Sequence, residues 1–120
     1  MFPILQNEIG AVLVVGGGIG GIQASLDLVE SDFKVYMVDI FPSIGRIMTK
    51  LDKTFPTNDC SMCILAPKMI ESSRHPNITI YSYSEIKEVS GSVGNFRVKI
   101  LEHPRYVNAE KCTGCGVCAR

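Results

Sequence analysis

A cluster of glycines directly after a short apolar run constrains this chain more than any other feature. The run Ala11–Val15 reads Ala-Val-Leu-Val-Val, and the segment Gly16–Gly21 follows it. A continuous apolar run of this length is typical of a strand buried on both faces of a parallel sheet. After the glycines, apolar residues recur at helical spacing; they are Ile19, Ile22, Leu26 and Val29. The sequence therefore predicts a strand, a tight turn and an amphipathic helix.

A second strand completes this unit. Phe33–Val38 is rich in β-forming residues and ends at Asp39. Strand, helix and strand in this order predict a parallel pair of strands with a right-handed crossover. Gly16, Gly18 and Gly21 stand at the fixed positions of the G-x-G-x-x-G motif, which in this context indicates an adenine dinucleotide site.

Each residue of the motif has a physical role in such a site. We expect Gly16 to permit the tight turn, Gly18 to let the backbone approach a pyrophosphate, and Gly21 to let helix and strand pack closely. Asp39 would accept hydrogen bonds from a ribose diol, and its charge argues against a 2′-phosphate and hence against NADP. The motif does not distinguish FAD from NAD. The alternative is that the glycines only shape a sharp turn.

The rest of the chain is less regular. Residues 40–76 lack clear periodicity, so we predict a long cysteine-containing loop with room for a short helix at Leu65–Ser72. Strand signals return at Ile78–Tyr81, Ile86–Val89 and Phe96–Ile100, with a turn over Gly91–Asn95. The predicted fold class is α/β: a partial Rossmann-like FAD/NAD(P)-binding domain over residues 1–103 that includes β-meander strands, then the start of a ferredoxin-like motif over 104–120.

Charge and hydropathy exclude several functions. Twelve Lys and Arg balance twelve Asp and Glu, and no basic patch suggests a nucleic acid partner. Met1–Glu8 lacks the positive start of a secretion signal. The uncharged stretch Ile9–Leu26 is long enough for a membrane helix, but its glycine cluster fits a strand–turn–helix better. We therefore expect a soluble, cytoplasmic protein with no membrane span.

Three of the five cysteines have the spacing of an iron–sulfur motif. Without an export signal, cysteines indicate metal binding or redox chemistry rather than structural disulfides. Cys112, Cys115 and Cys118 form C-x₂-C-x₂-C, which begins the [4Fe–4S] motif of bacterial ferredoxins. The fourth cysteine of that motif would fall beyond Arg120, so we expect this chain to be the N-terminal piece of a longer protein.

The other two cysteines, Cys60 and Cys63, allow several interpretations. A single C-x₂-C can be a redox dithiol, half of a zinc site or half of a cluster site. A Cys₄ zinc site formed with Cys112 and Cys115 is one alternative. The pair lies about 20 residues after Asp39, roughly where flavin disulfide reductases carry their redox-active cysteines. Two buried, chemically inert cysteines are a further possibility.

Several segments of the chain resemble the A subunit of heterodisulfide reductase. The longest is Leu51–Met69 (LDKTFPTNDCSMCILAPKM), and its part Thr54–Lys68 is highly specific. The others are His75–Ile78, Gly94–Phe96, and Pro104–Val107 leading into Lys111–Cys118. The resemblance covers essentially the whole chain beyond Ala11.

This resemblance implies a thioredoxin-reductase-type FAD protein with inserted ferredoxin motifs. Such a protein would carry electrons from a hydrogenase or formate dehydrogenase partner through FAD and [4Fe–4S] clusters, by flavin-based bifurcation. The electrons would go to other heterodisulfide reductase subunits that reduce the coenzyme M–coenzyme B disulfide. The implied FAD contacts are Gly16, Gly18, Gly21 and Asp39. Cys60 and Cys63 would ligate an unusual cluster, and Cys112, Cys115 and Cys118 a ferredoxin-like one.

One segment departs from the family pattern. The family usually reads Ser-Ile-Gly-Gly-Arg-Met, whereas Ser43–Met48 reads Ser-Ile-Gly-Arg-Ile-Met. Gly45 matches the first glycine of this pattern, and the resemblance implies that it contacts FAD. Arg46 replaces the second glycine, and we expect it to crowd or re-route the loop.

Two alternatives remain beside this electron-transferring oxidoreductase. One is a pyridine-nucleotide disulfide oxidoreductase in which Cys60 and Cys63 form a flavin-facing disulfide. The other is a non-catalytic iron–sulfur or zinc-binding module that keeps the nucleotide fold as a scaffold. Because only half of a flavin site is expected in this chain, we predict that it is inactive by itself.

Overall fold

A computed structural model describes residues 10–120 of the chain. Met1–Glu8, the stretch used to argue against a secretion signal, lies outside the described residues. Among residues 10–120, no helix is both long enough and apolar enough to cross a membrane.

Three parallel strands form the central sheet. Strand β1 covers Ala11–Val15, β2 covers Lys34–Val38, and β3 covers Ile78–Tyr81. Their order is β1-β2-β3, with Val15 opposite Val38 and Val38 opposite Tyr81. The carboxyl ends of all three strands therefore meet at one edge of the sheet. The predicted parallel strand–helix–strand unit is confirmed.

The core lies where two helices pack on the sheet. Helix α1 covers Ile19–Glu30 and directs Ile22, Leu26 and Val29 inward, so three of the four apolar positions read from the sequence are buried. They pack with Val35, Met37, Leu65 and Ile78. Burial of one such side chain stabilises the fold by about 1.5–3 kcal/mol.

The strand that is most buried is β2, not β1. We expected β1 to be buried on both faces, but its residues are half-buried, and those at its ends are exposed. Val35, Met37 and Val38 of β2 are almost fully buried instead. The reason is position, because β2 is the central strand of the described sheet and β1 lies at its edge.

The predicted loop over residues 40–76 contains a long helix. Helix α2 covers Ser61–Arg74, well beyond the short helix expected at Leu65–Ser72, and a 3₁₀ helix covers Arg46–Lys50. The buried positions of α2 are Ser61, Leu65 and Ser72. Two of these three are serines and Pro67 lies inside the helix, so no apolar periodicity marked this helix in the sequence.

The remaining strands form a hairpin rather than a meander. Strand β4 covers Ser84–Ser92 and pairs antiparallel with β5, which covers Asn95–Glu102. The first of the three predicted strands became β3 of the parallel sheet, which leaves only two strands for antiparallel pairing. Beyond β5, the described chain has turns and a short 3₁₀ helix at Val117–Ala119.

Two neighbouring glycines of α1 provide a matched test of the close approach between helix and turn. A Cβ at Gly21 would overlap the carbonyl oxygen of Gly16, whereas a Cβ at Gly20 would meet nothing within 4 Å. We expect Gly21→Ala to lower the free energy of unfolding by about 2–3 kcal/mol. Gly20→Ala should raise it by up to about 1 kcal/mol, because alanine favours the helix. Urea unfolding of both variants checks this, and equal effects would contradict the overlap.

Candidate nucleotide and cysteine sites

The glycine turn that follows β1 is hydrogen-bonded to the end of β2. Gly16 has φ +107°, and its N–H donates to the carbonyl oxygen of Val38 at 2.8 Å. Gly18 is the N-cap of α1, has no side chain to cap the helix, and is followed by no acidic residue in the first turn. The N-terminus of a helix carries unpaired N–H groups and a partial positive charge, which favour an anion such as a pyrophosphate.

The three motif glycines are not required for the same reason. Gly16 has a left-handed backbone, and Gly21 has no space for a Cβ. Gly18 has φ −77°, and the nearest atom to a Cβ there would be Cδ of Arg46 at 3.7 Å. The fold therefore tolerates alanine at Gly18, and this position fits the close approach of a ligand. The nucleotide contacts of all three residues stay predictions.

Gly17 has a structural role that the sequence analysis missed. Its N–H donates to Oδ2 of Asp39 at 2.8 Å. A Cβ at Gly17 would lie 2.7 Å from that same oxygen and 2.8 Å from Cγ2 of Ile44. The motif treats this position as variable, so only the run of three consecutive glycines signalled it.

Asp39 is a buried carboxylate held by several donors. Only 1% of the residue is exposed. The N–H of Gly17 donates to Oδ2, and the N–H of Phe41 donates to Oδ1 at 3.0 Å. Arg46 donates from Nε to both oxygens at 3.1 Å and from Nη2 to Oδ1 at 2.8 Å. The carboxylate predicted to bind a ribose is thus already paired within the chain.

These donors decide the ionisation of Asp39. Burial by itself raises the pKa of Asp39, because it disfavours the charged form. Hydrogen bonds from Arg46, Phe41 and Gly17, together with the positive charge of Arg46, outweigh burial and leave the pKa below its ordinary value. The folded chain therefore keeps Asp39 ionised at neutral pH.

Arg46 adopts the unusual conformation that its position suggested. Its φ is +48° and follows φ +99° at Gly45, so this turn has two successive left-handed residues. Its guanidinium stacks over the ring of Phe41 at 4.7 Å, and its side chain is 37% exposed. The turn thus places the guanidinium of Arg46 against the carboxylate of Asp39.

Gly45 is required by packing. Its N–H donates to the carbonyl oxygen of Gly17 at 2.6 Å. A Cβ there would lie 2.6 Å from Cγ2 of Thr49 and 3.0 Å from Sδ of Met69. The fold explains this glycine, and its contact with FAD stays a prediction.

Cys60 and Cys63 lie at the N-terminus of α2. Their sulfurs are joined in a disulfide, with the two Cα atoms 5.2 Å apart. Cys60 is the N-cap residue, and its Sγ accepts the N–H of Cys63 at 3.2 Å. This arrangement fits a redox dithiol, and cluster ligation remains the competing prediction.

Cys112, Cys115 and Cys118 are exposed thiols. The N–H of Gly114 donates to Sγ of Cys112 at 3.4 Å, and hydrogen bonds from the N–H of Val117 and from Thr113 lower the pKa of Cys115. Among residues 10–120, no three His, Cys, Asp or Glu side chains come together to hold a metal. The donor set fits iron–sulfur chemistry, but the ligand roles stay predictions, as does the zinc alternative.

The segment that carries these thiols is attached near the carboxyl edge of the sheet. Arg105 donates to the carbonyl oxygen of Pro42 at 3.1 Å and also to Oγ of Ser82. A cleft of about 720 Å³ lies beside this contact, between Pro42, Tyr83 and the stretch from Pro104 to Gly114.

Acid unfolding tests the pairing of Asp39. Its lowered pKa contributes stability that is present above the unfolded-state pKa, near 3.9, and is lost as the pH falls through the folded-state value. We expect Asp39→Asn to cost about 1–3 kcal/mol at pH 7 and to flatten the decline in stability below about pH 4. Urea unfolding across pH 2–7 measures both effects.

The surface carboxylate Glu85 provides the control. It pairs with Lys87 on the surface, so Glu85→Gln should leave stability at pH 7 nearly unchanged. Equal effects of the two substitutions on stability would show that the paired carboxylate of Asp39 does not stabilise the fold.

Solved structures share this architecture. The L-proline dehydrogenase of P. horikoshii matches 77% of this chain with a TM-score of 0.59 and 24% identity, over 19% of its own length. An NAD-dependent persulfide reductase of A. fulgidus matches 80% with a TM-score of 0.50 and 13% identity, over 16% of its length. The fold is the Rossmann-like dinucleotide-binding fold found in FAD- and NAD-dependent oxidoreductases.

Sequence comparison finds more similar relatives. The iron–sulfur A subunit of a CoB–CoM heterodisulfide reductase of Methanopyrus kandleri is 63% identical over 107 residues, which cover 89% of this chain. The A subunit of the H₂:CoB–CoM heterodisulfide,ferredoxin reductase of Methanothermobacter marburgensis is 60% identical over 88%. The A subunit of the H₂/formate:CoB–CoM heterodisulfide,ferredoxin reductase of Methanococcus maripaludis is 54% identical over 89%.

The identity of 52–63% over nearly nine-tenths of this chain confirms the resemblance to the A subunit of heterodisulfide reductase. The chain spans 16% of the length of each of these three relatives. No family model matches the sequence.

Proposed function

We propose that this chain supplies part of the FAD site and cysteine ligands for [4Fe–4S] clusters in an iron–sulfur flavoprotein that serves as the A subunit of a heterodisulfide reductase. The protein would be an oxidoreductase that carries electrons toward reduction of the coenzyme M–coenzyme B heterodisulfide or a related disulfide. The observation that carries this proposal is the identity of 52–63% to proteins named as A subunits of such reductases.

The residues of the glycine turn have distinct roles in this proposal. The turn at Gly16 and the uncapped N-terminus of α1 receive the pyrophosphate, and Gly18 leaves space for it. FAD, when bound, supplies a carrier that accepts two electrons and releases them singly or together. The chain itself binds and orients the dinucleotide.

The two cysteine groups have separate roles. Cys112, Cys115 and Cys118 provide thiolates with the spacing of a ferredoxin-type cluster, and hydrogen bonds from the N–H of Val117 and from Thr113 stabilise negative charge on the sulfur of Cys115. Cys60 and Cys63 provide two more thiolates for a second cluster. The disulfide between them would have to be reduced before they could bind iron.

The proposal extends to partners. Two of the relatives are named for H₂ or formate as well as for the heterodisulfide. By analogy, this protein would receive electrons from a hydrogenase or formate dehydrogenase and pass them to other heterodisulfide reductase subunits. We place this electron transfer in the cytoplasm.

The Cys60–Cys63 disulfide favours a second candidate, a pyridine-nucleotide disulfide oxidoreductase. A flavin, when bound, would supply the two electrons for this reaction. The S–S bond between Cys60 and Cys63 would take up these two electrons and two protons and open to give two thiols. The position of the pair at a helix N-terminus, which stabilises a thiolate, supports this alternative.

A substitution at Gly18 tests the dinucleotide site. The backbone and packing at Gly18 accept alanine, so Gly18→Ala should lower the free energy of unfolding by no more than about 1 kcal/mol, because alanine is a poorer N-cap residue than glycine. Its methyl group would stand where the pyrophosphate approaches, and FAD affinity should fall about tenfold or more by calorimetric titration. Gly20→Ala, in the first turn of the helix that follows, is the control. Unchanged FAD affinity in Gly18→Ala would contradict the assignment.

Anaerobic reconstitution with iron and sulfide tests the cluster ligands. We expect Cys115→Ser to reduce bound iron and acid-labile sulfide at one site, and the double variant Cys60→Ser/Cys63→Ser to reduce them at another. Each variant should therefore lose only part of the iron and part of the electron paramagnetic resonance signal.

Two other results would exclude parts of the proposal. Full iron content in the double variant, together with two thiols released by a reduced flavin in the unmodified chain, would favour the disulfide oxidoreductase. Zinc in place of iron would support the metal-binding module.

A further inference from the structure

Arg46 occupies the place where a ribose would meet Asp39. The guanidinium donates to both carboxylate oxygens, and two backbone N–H groups complete the partners of Asp39. Asp39 is 1% exposed, whereas the side chain of Arg46 is 37% exposed. A ligand that arrives from solvent therefore meets the guanidinium before it meets the carboxylate.

Arg46 also lines two clefts. One has a volume of about 360 Å³ and lies at the carboxyl ends of β1 and β2, against Gly16, Val38 and Ile40. The other has a volume of about 230 Å³ and lies against Phe41, Pro42 and Ile47. The first has the position expected for the dinucleotide, and the second provides space into which the guanidinium can move.

We propose that Arg46 is a gate, an internal occupant of the ribose subsite that must leave Asp39 before an adenine dinucleotide binds fully. This inference rests on the proposed dinucleotide site. In the closed state Arg46 fills the ribose end of the site, where it donates to both oxygens of Asp39. The apparent affinity is then the intrinsic affinity multiplied by the fraction of molecules in which Arg46 is away from Asp39.

The chemistry of the pair suits a gate better than a permanent structural link. Asp39 keeps hydrogen bonds from Gly17 and Phe41 when Arg46 leaves, so the buried carboxylate is not left without partners. The guanidinium is already partly hydrated and can stay in contact with the ring of Phe41. When Arg46 leaves, the hydroxyls of a ribose diol would replace its N–H groups as hydrogen-bond donors to Asp39.

Removal of Arg46 should therefore tighten nucleotide binding. We expect Arg46→Gly to bind ADP-ribose roughly tenfold more tightly than the unmodified chain in calorimetric titration. Glycine suits the left-handed backbone at this position, whereas alanine would be strained. Electrostatics alone predicts the opposite sign, because ADP-ribose is an anion and the substitution removes a positive charge.

Two further variants complete the design. Lys50→Ala removes an exposed positive charge from the same 3₁₀ helix without uncovering Asp39, and it should not tighten binding. Arg46→Lys keeps the charge but cannot donate to both oxygens as a planar fork, so its affinity should be intermediate. Thermal unfolding of each variant is measured in parallel. If Arg46→Gly does not fold, the affinity of Arg46→Lys decides the question.

The outcomes separate the gate from the site. Equal or weaker ADP-ribose binding by Arg46→Gly, while the unmodified chain binds, would overturn the gate and leave the dinucleotide site standing. Tighter binding of 2′-phospho-ADP-ribose by the unmodified chain, lost in Arg46→Gly, would make Arg46 a phosphate receptor and also overturn the gate. No binding by any variant, with all of them folded, would overturn the dinucleotide site and the gate together.

Discussion

The carboxylate of Asp39 organises the edge of the sheet on which the rest of the site depends. A buried charge is costly unless hydrogen bonds and an opposite charge compensate for it. Asp39 receives these from three parts of the chain: the glycine turn, the loop directly after β2, and the 3₁₀ helix. Gly17 must therefore lack a Cβ, and Gly45 and Arg46 must both adopt left-handed backbones.

Residues 11–39 were predictable because their physics is local. Strand β1 is a continuous apolar run, helix α1 has a helical periodicity, strand β2 is rich in β-forming residues, and the glycines identify the turn after β1. The length of helix α2 was underestimated from the sequence because its buried face presents the hydroxyls of Ser61 and Ser72. Ser61 donates to the carbonyl oxygens of Met48 and Leu51. Such a polar contact depends on where the preceding loop lies, and the sequence of the helix does not specify that.

The site itself was only half predictable. The glycine spacing, together with the strand before it, the helix after it and the acid that ends the second strand, identified Gly16, Gly18, Gly21 and Asp39 as a group, and the structure brings them to one edge of the sheet. The pairing of Asp39 with Arg46 depends on two successive positive φ angles, and no local pattern predicts these at an arginine. The family comparison marked Arg46 as unusual, but only the geometry gives its contact.

The two cysteine groups differ in how the fold holds them. Cys60 and Cys63 belong to the first turn of a helix that packs on the core through Leu65. Cys112, Cys115 and Cys118 belong to a segment with little regular structure, in which Gly114 and Gly116 have positive φ. The first pair has a geometry set by the domain, whereas the second group depends on short-range hydrogen bonds.

The contact of Arg105 with Pro42 and Ser82 sets the reach of that second group. Without it, the cysteine segment would be an arm hinged at the end of β5. With it, the arm is anchored beside the strand ends, and an extended chain spans at most about 3.5 Å per residue. Cys112 then cannot travel more than about 25 Å from Arg105, however mobile the intervening residues are. One exposed guanidinium thus limits how far the first of the three thiols, that of Cys112, can lie from the sheet edge.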